Sequence, residues 1–217
     1  MMNVISALLG AAVAASLTIA LVIICQSIGM LEVGERSRLR SPTTLALIII
    51  TGAVWLAHTL LYQGGELIPM LSDVLLLVFT AVLALIDLER HIVPNKLLLT
   101  MLILRLSLIA VGVIADPASG IEMAGRSLAG ALMSGICFLL CYLVSHRQLG
   151  GGDVKYAFIL GLYLTGERVL AAMLYGVLCC CVYSLVQLCR KKLKLKDGVP
   201  LIPFLYIGVL ITYLISG

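Results

Sequence analysis

Two aspartates in strongly apolar surroundings are the residues of this sequence best suited to chemistry. Asp87 ends one apolar run, and Asp153 begins another directly after Gly150-Gly151-Gly152. An ionisable side chain in or at the mouth of a membrane helix is costly, so it is a functional candidate by default. Two carboxyl groups that share one proton can activate water and polarise a scissile carbonyl, as in aspartic proteases. The pair therefore predicts an aspartyl hydrolase.

The composition indicates that membrane helices position these acids. Of 217 residues, 62% are hydrophobic and 12% are charged, against about 45–50% and 25% in soluble domains. The apolar runs lie at 4–28, 43–62, 71–88, 96–115, 126–145, 154–165, 168–189 and 200–216. Since about 20 apolar residues cross a bilayer as a helix, the sequence predicts an all-α, polytopic membrane protein with about eight transmembrane helices and short loops. A water-soluble enzyme is excluded.

The basic residues predict the orientation of these helices. Twelve of the 15 Lys and Arg residues fall on alternate connections, at 29–42, 89–96, 146–155 and 190–199. Cytoplasmic loops carry such an excess, so these connections are predicted to face the cytoplasm and both termini the outside. Asp87 and Asp153 then lie at the same cytoplasmic surface. The basic stretch within 190–199 is expected to rest on anionic membrane lipid.

The three glycines predict how the two acids divide one proton. Consecutive glycines ahead of a helix let the backbone take positive φ and approach another part of the chain closely. N–H groups at the positive end of the following helix dipole favour an ionised Asp153. Asp87 lies at the C-terminal end of its own helix among apolar neighbours, and it is expected to hold the proton.

Other polar residues in the apolar runs have structural interpretations. Arg105 is expected to pair with a neighbour or to snorkel, and His58 to be a hydrogen-bonded core residue. Asp73, directly after Ser72 at the start of the third run, is expected to cap a helix N-terminus. The seven cysteines, all in or at the end of apolar runs and without a Cys-x-x-Cys pair, are interpreted as buried thiols, with no metal site. The scarcity of Phe and Trp argues against a nucleic-acid surface.

Three motifs resemble those of the type IV prepilin peptidases, membrane aspartyl proteases of the Gly-x-Gly-Asp class. The segment 150–155 matches the family's Gly-x-Gly-Asp-x-Lys motif. Ile92-Val93-Pro94-Asn95, after Asp87, is similar to the region of the family's first catalytic aspartate. Val199-Pro200-Leu201-Ile202-Pro203-Phe204 is similar to its Pro-x-x-Pro-Phe segment, which opens the last helix.

The resemblance implies an aspartic endopeptidase of the bacterial inner (cytoplasmic) membrane, with its active site facing the cytoplasm. Its substrates would be type IV prepilins or pilin-like (pseudopilin) subunits, from which it would cleave the basic leader peptide. Asp87 and Asp153 would be the catalytic residues. Gly150, Gly152 and Lys155 would contribute to substrate binding.

The resemblance also implies a division of the chain and bears on cofactors. Residues 1–70 would form two transmembrane helices joined by a short cytoplasmic loop, and residues 71–217 a six-helix protease core. Many family members carry two zinc-binding Cys-x-x-Cys pairs between the first two helices, whereas the connection 29–42 has no cysteine. Zinc and other cofactors are therefore not expected, and the pilin N-methylation of some relatives is left open.

Two alternatives come from other functional classes. A proton-coupled transporter or channel could use Asp87, Asp153 and Arg105 as relay groups, although transport sites usually lie near the bilayer midplane. A catalytically silent assembly protein of a pilus or secretion machine is the other, against which the presence of both acids argues.

Overall fold

The computed structural model describes residues 2–27, 42–61, 67–145, 149–191 and 198–215. Within these ranges the chain forms helices and no strand, which confirms the all-α prediction. The helices are α1 (Met2–Ser27), α2 (Pro42–Leu61), α3 (Leu67–Arg90), α4 (Asn95–Ala115), α5 (Pro117–Val144), α6 (Gly151–Leu164), α7 (Gly166–Cys189) and α8 (Ile202–Ile215).

Several described helices have the length and composition of membrane spans. Four long ones qualify, at Ile68–Arg90, Asn95–Ala115, Pro117–Val144 and Gly166–Cys189. Shorter apolar helical segments lie at Ala14–Cys25, Thr44–Leu56 and Ile202–Ile215. These features are those of a multi-pass membrane protein. Helix α6 has 14 residues, about 21 Å at 1.5 Å per residue, so it is shorter than the bilayer core of about 30 Å.

Helix α3 is the centre of the bundle. Two-thirds of its apolar window is buried (67%), compared with 28% in α4 and in α5 and 22% in α7. The helices α1, α2, α4, α6 and α8 all contact it. Because the exposed faces of α4, α5 and α7 are rich in Leu, Ile and Val, they are suited to contact lipid.

Polar side chains inside the bundle join neighbouring helices. The Tyr156 hydroxyl of α6 donates to Thr80 Oγ1 of α3 at 3.2 Å. The Tyr163 hydroxyl, also on α6, donates to the Met101 carbonyl of α4 at 2.8 Å. A hydroxyl in an apolar environment is costly unless it is hydrogen-bonded, so these contacts fix the position of the short helix α6 against α3 and α4.

Small residues let α6 pack closely on α5. A methyl group added at Gly161 would collide with Ser134 Oγ and with the Gly130 carbonyl. Small residues in this arrangement allow the backbones of membrane helices to approach each other. The crossing holds α6 between α5 and the central helix, which sets the position of its first turn.

Two helix starts differ from those predicted. The fifth apolar run was predicted to begin at 126, but α5 begins at Pro117 because Asp116 accepts the Ala118 N–H at 3.1 Å as its N-cap. Helix α3 begins at Leu67, so Asp73 lies in its second turn and the predicted capping role is wrong. The Asp73 carboxylate instead accepts the Tyr213 hydroxyl at 2.7 Å.

The prediction of buried thiols holds for only one cysteine. Cys25 is buried, whereas Cys137, Cys141, Cys179, Cys180, Cys181 and Cys189 are exposed or half-exposed. The six lie on α5 and α7, whose outer faces are apolar. An apolar run in a membrane helix includes its lipid-facing side, so hydropathy alone does not identify the protein core.

Candidate active site

Asp87 lies in the last turn of α3, at the point where the helix ends. The helix ends at Arg90, and His91 follows in the left-handed region with φ 51°. The Asp87 side chain is only 4% exposed. One of its oxygens, Oδ2, accepts the backbone N–H of Ile202 at 3.1 Å, so the start of α8 holds this carboxylate.

The Pro-x-x-Pro-Phe segment explains why an N–H is available there. The first four N–H groups of a helix have no partner within it. Ile202 is the first residue of α8, and Pro203 after it has no N–H to satisfy. The Leu201 carbonyl accepts the first helical bonds, from Phe204 and Leu205 at 3.1 Å. The Ile202 N–H is therefore a buried helix-end donor without a partner inside α8, and Asp87 is its acceptor.

Asp153 is the third residue of α6 and is partly buried. Its backbone N–H donates to the Gly150 carbonyl at 3.0 Å. Burial, and secondly the negative charge of the neighbouring Asp87, raise the pKa of Asp153 from 3.8 to about 6. The structure thus brings the two carboxyl groups close enough for the charge of Asp87 to raise the proton affinity of Asp153.

The pKa shift of Asp153 is opposite in direction to the one expected from its place at a helix N-terminus. The N-terminal end of α6 favours the ionised form, whereas burial and, secondly, the Asp87 carboxylate raise the pKa. Desolvation and a like charge at short range outweigh a partial helix charge, which is worth about 0.3–1 kcal/mol near a surface. The proton affinity of Asp153 therefore depends on the charge of Asp87 as well as on its own burial.

The glycine turn approaches another part of the chain closely, and its glycines do so at negative φ. Gly150 has φ −68°, and Gly151 and Gly152 have negative φ within α6. A methyl group on Gly152 would lie 2.7 Å from Cβ of Val93, in the segment that follows Asp87. Gly152 thus allows the first turn of α6 to lie against the α3–α4 connection. A methyl group on Gly150 would lie 3.0 Å from Asp153 Oδ2, so this glycine leaves room for the carboxyl group.

Lys155 is exposed and lies on the same surface as the acids. Its Nζ donates to Oδ1 of Asn95, the first residue of α4, at 3.0 Å. The contact joins α6 to the segment after Asp87 a second time. Asn95 belongs to the Ile92–Asn95 motif, and the sequence pattern predicts no contact for it.

The sequence pattern does not identify Ile202 as part of the site. It takes part in the site through its backbone N–H, which carries no side-chain signal. The proline spacing around Ile202 is the sequence signal that could identify it, because a proline at the second helical position marks where unpaired N–H groups begin.

Arg105 lies away from the acid pair. It is 3% exposed and donates to three neutral acceptors, the Leu162 carbonyl at 2.8 Å, Ser127 Oγ at 2.8 Å and Ser72 Oγ. Its guanidinium also lies 5.4 Å from the ring centroid of Tyr163. The prediction that it pairs with neighbours is confirmed. The side chain of His58 is outside the described part of the structure.

Two comparisons with known proteins both identify similarity to leader peptidases. The model of the type IV leader peptidase family matches residues 74–185, just over half of the chain. The chain is also similar to the prepilin leader peptidase/N-methyltransferase of Bacillus subtilis (strain 168), with 25% identity over 149 residues. The match covers 69% of this chain and 56% of that protein, so the chain spans little more than half the length of this relative. No solved structure matches the chain. Both acids and the glycine turn lie within the matched residues.

Proposed function

The chain belongs to the type IV leader peptidase family, and on that premise we propose that it is an aspartic endopeptidase with Asp87 and Asp153 as its catalytic pair. Its proposed substrates are type IV prepilins or pilin-like subunits, from which it removes the leader peptide. The observation that carries the proposal is the coupling of the two carboxyl groups, in which burial and Asp87 raise the pKa of Asp153 to about 6.

The pair supplies both halves of a water-mediated peptide cleavage. The ionised carboxyl group takes a proton from a water molecule, whose oxygen attacks the scissile carbonyl carbon. The protonated carboxyl group donates a hydrogen bond to the carbonyl oxygen and stabilises the tetrahedral intermediate. Transfer of a proton to the leaving nitrogen then allows the C–N bond to break, and the pair again holds one proton.

Backbone contacts from neighbouring helices hold the two carboxyl groups in place for these two roles. The Ile202 N–H holds one Asp87 oxygen, and the closely packed Gly152 brings α6 to the end of α3. Gly150 and Gly152 are proposed to shape the substrate site, and Lys155 to contact substrate from the same surface. A constellation held by backbone contacts from three helices is preorganised, which is what positioning catalysis requires.

The location follows from the charge pattern. We propose that the acid pair faces the cytoplasm at the inner membrane of a bacterium, since both acids lie next to two of the four alternate connections that together carry twelve of the 15 basic residues. A prepilin presents its basic leader on that side and its apolar helix within the bilayer. The basic stretch at 190–199 is proposed to contact anionic lipid; residues 192–197 lie outside the described part of the chain.

The division of the chain is part of the proposal. Helices α3 to α7 fall largely within the family match, and α8 joins them through its contact with Asp87. We therefore assign residues 71–217 to the protease core and residues 1–70 to an additional helix pair. Membership of a peptidase family favours a hydrolase over the proton-coupled transporter, and the proposal is restricted to cleavage, without N-methylation.

The direct test is cleavage of prepilins by the purified full chain in detergent. Asp87→Asn and Asp153→Asn should each lower the cleavage rate by about 100-fold or more, because neither carboxyl group can do the work of the pair alone. Glu89→Gln is the matched control, since it neutralises an exposed acid two residues from Asp87 on the same surface. Near wild-type cleavage by either Asn variant would overturn the aspartyl mechanism.

A further inference from the structure

A second polar site lies near the opposite ends of the same helices. A cavity of about 120 Å³ is lined by parts of α3, α4, α5, α6 and α7, with Arg105, Arg168, Asp73 and Ser72 among its polar residues. Asp73 precedes Asp87 by 14 residues on α3, which is about 21 Å along the helix. The cavity is therefore separate from the acid pair.

Arg105, which is buried, lines the cavity from α4. Its hydrogen bonds to the Leu162 carbonyl and to two serine hydroxyls fix its orientation. Because all three acceptors are neutral, these bonds do not cancel its charge, and the acidic group that acts on it within the described residues is Asp73. A buried cation of this kind is costly to maintain, and a bound anion lowers that cost.

Two further positive features lie at the cavity. Arg168, which is exposed, lines it on α7. Thr165 also lines it and has a positive φ (56°), as does Gly166 (40°), so the chain turns sharply there and α7 begins beside the cavity. The N-terminus of a helix carries a partial positive charge of about +0.5 and free N–H groups, which bind anions.

The negative charge at the cavity is smaller than the positive charge. Asp73 is the one acidic residue that lines the cavity within the described part of the chain, and its carboxylate also accepts the Tyr213 hydroxyl. Glu167, in the first turn of α7, is exposed and is not a lining residue. Two arginines and a helix N-terminus against one carboxylate leave an excess of about one to one and a half positive charges.

We propose that this cavity binds a single phosphate group, as free phosphate or as the headgroup of an anionic phospholipid. The excess charge fits one such anion, and arginines are the side chains that pair best with phosphate. A water molecule requires about 10–15 Å³ of such space, so a cavity of about 120 Å³ has room for a polyatomic anion. Pro69, exposed beside Arg168, leaves an apolar edge for the glycerol and acyl parts of a lipid.

Thermal unfolding of the full chain tests the proposal. In neutral detergent, sodium phosphate is compared with sodium chloride at equal ionic strength and pH. In bilayer discs, phosphatidylglycerol is compared with phosphatidylcholine. A ligand that binds only the folded state raises the unfolding midpoint. We expect a rise of about 2–4 °C here.

Two arginine variants separate site binding from general charge effects. Arg168→Gln should abolish the rise in the midpoint. Arg126→Gln should retain it, because Arg126 is an exposed arginine of α5 that pairs with Glu122 and does not line the cavity. A rise with sodium phosphate identifies free phosphate as a ligand, and a rise with phosphatidylglycerol alone identifies the lipid headgroup. The absence of any rise, or an equal rise in wild type and Arg168→Gln, overturns the proposal.

A third variant keeps the test decisive if Arg168→Gln does not fold. Asp73→Asn removes the one negative charge of the lining and keeps an oxygen that can accept the Tyr213 hydroxyl. It should bind phosphate more tightly and show a larger rise than wild type, and an equal or smaller rise contradicts the proposal. Because the measurement is unfolding and not cleavage, its outcome does not depend on whether any prepilin is cut.

Discussion

The carboxylate of Asp87 accepts the backbone N–H of Ile202 at 3.1 Å, across 115 positions of sequence. One residue ends α3 and the other begins α8. The contact satisfies an N–H that α8 cannot satisfy itself, and it fixes one oxygen of a proposed catalytic acid. Helix α8 lies outside the residues matched by the family model, yet it contributes to the site through this bond.

Replacing Ile202 can isolate the contribution of this N–H. Ile202→Pro removes the donor at the first helical position, where proline is well tolerated, while Ile202→Ala keeps it. Both variants lose the buried side chain. A hydrogen bond to a charged group is worth about 1.5–3 kcal/mol, so Ile202→Pro should cleave prepilin about 10- to 100-fold more slowly than Ile202→Ala. Equal kcat/KM values for the two variants would show that the bond does not position Asp87.

The pH dependence of stability should report the raised pKa of Asp153. Since burial and the Asp87 charge raise it from 3.8 to about 6, the folded protein binds this proton more tightly than the unfolded chain does. The stabilisation is therefore fully present below about pH 4 and is lost as the pH rises through about 6. Unfolding midpoints measured between these values should fall more steeply in wild type than in Asp153→Asn.

Asp87→Asn is the control for the second cause of that shift. It removes the like charge but leaves most of the burial, so the slope should become smaller without disappearing. Parallel curves for wild type and Asp153→Asn would contradict the assignment of the titration to Asp153.

The close packing of Gly152 can be tested with Gly151 as a control one residue away. The added methyl group of Gly152→Ala would meet Val93 at 2.7 Å, whereas that of Gly151→Ala has no atom within 4 Å. Gly152→Ala should push α6 away from the end of α3 and lower cleavage at least about tenfold, since small displacements of catalytic groups are costly. Its membrane yield should stay similar, and Gly151→Ala should behave as wild type. Equal losses of cleavage and yield would indicate a glycine needed only for helix packing.

Arg105→Lys should destabilise the bundle. The guanidinium joins α4 to α3, α5 and α6 through three hydrogen bonds, and a lysine ammonium cannot reproduce that planar geometry. A loss of about 1–3 kcal/mol in the free energy of unfolding is expected, measured by denaturant titration in micelles. Arg126→Lys, at an exposed site, should change it by less than about 0.5 kcal/mol. Full stability with lost cleavage would instead give Arg105 a catalytic role.

Much of the helical architecture could be predicted because it depends on local composition. Apolar runs must become helices in a bilayer, where each backbone polar group needs a partner within its own segment. Most helix ends therefore lie within a few residues of the predicted ones. The start of α5 was missed because Asp116 and Pro117 signal a helix start ahead of the apolar run that was used to place it.

The candidate site was only partly predictable. Hydropathy and motif spacing identified Asp87 and Asp153 as candidates and predicted one shared surface. They did not predict the proton affinity of Asp153, because that depends on burial and on the distance to a carboxylate 66 positions away. They also did not predict the role of Gly152, whose small size matters only because Val93 packs against it.

The sequence by itself determined that this protein is a bundle of membrane helices with two acids at helix ends, since hydrophobicity and helix signals act within a few residues. The tertiary structure decided which groups meet: Asp87 with the Ile202 N–H, Lys155 with Asn95, and Arg105 with Ser72 and Ser127. Such contacts depend on which face each helix turns toward its neighbours. Because lipid and protein interior are both apolar, the hydrophobic pattern cannot choose that face, and close packing of small residues and hydrogen bonds chooses it instead.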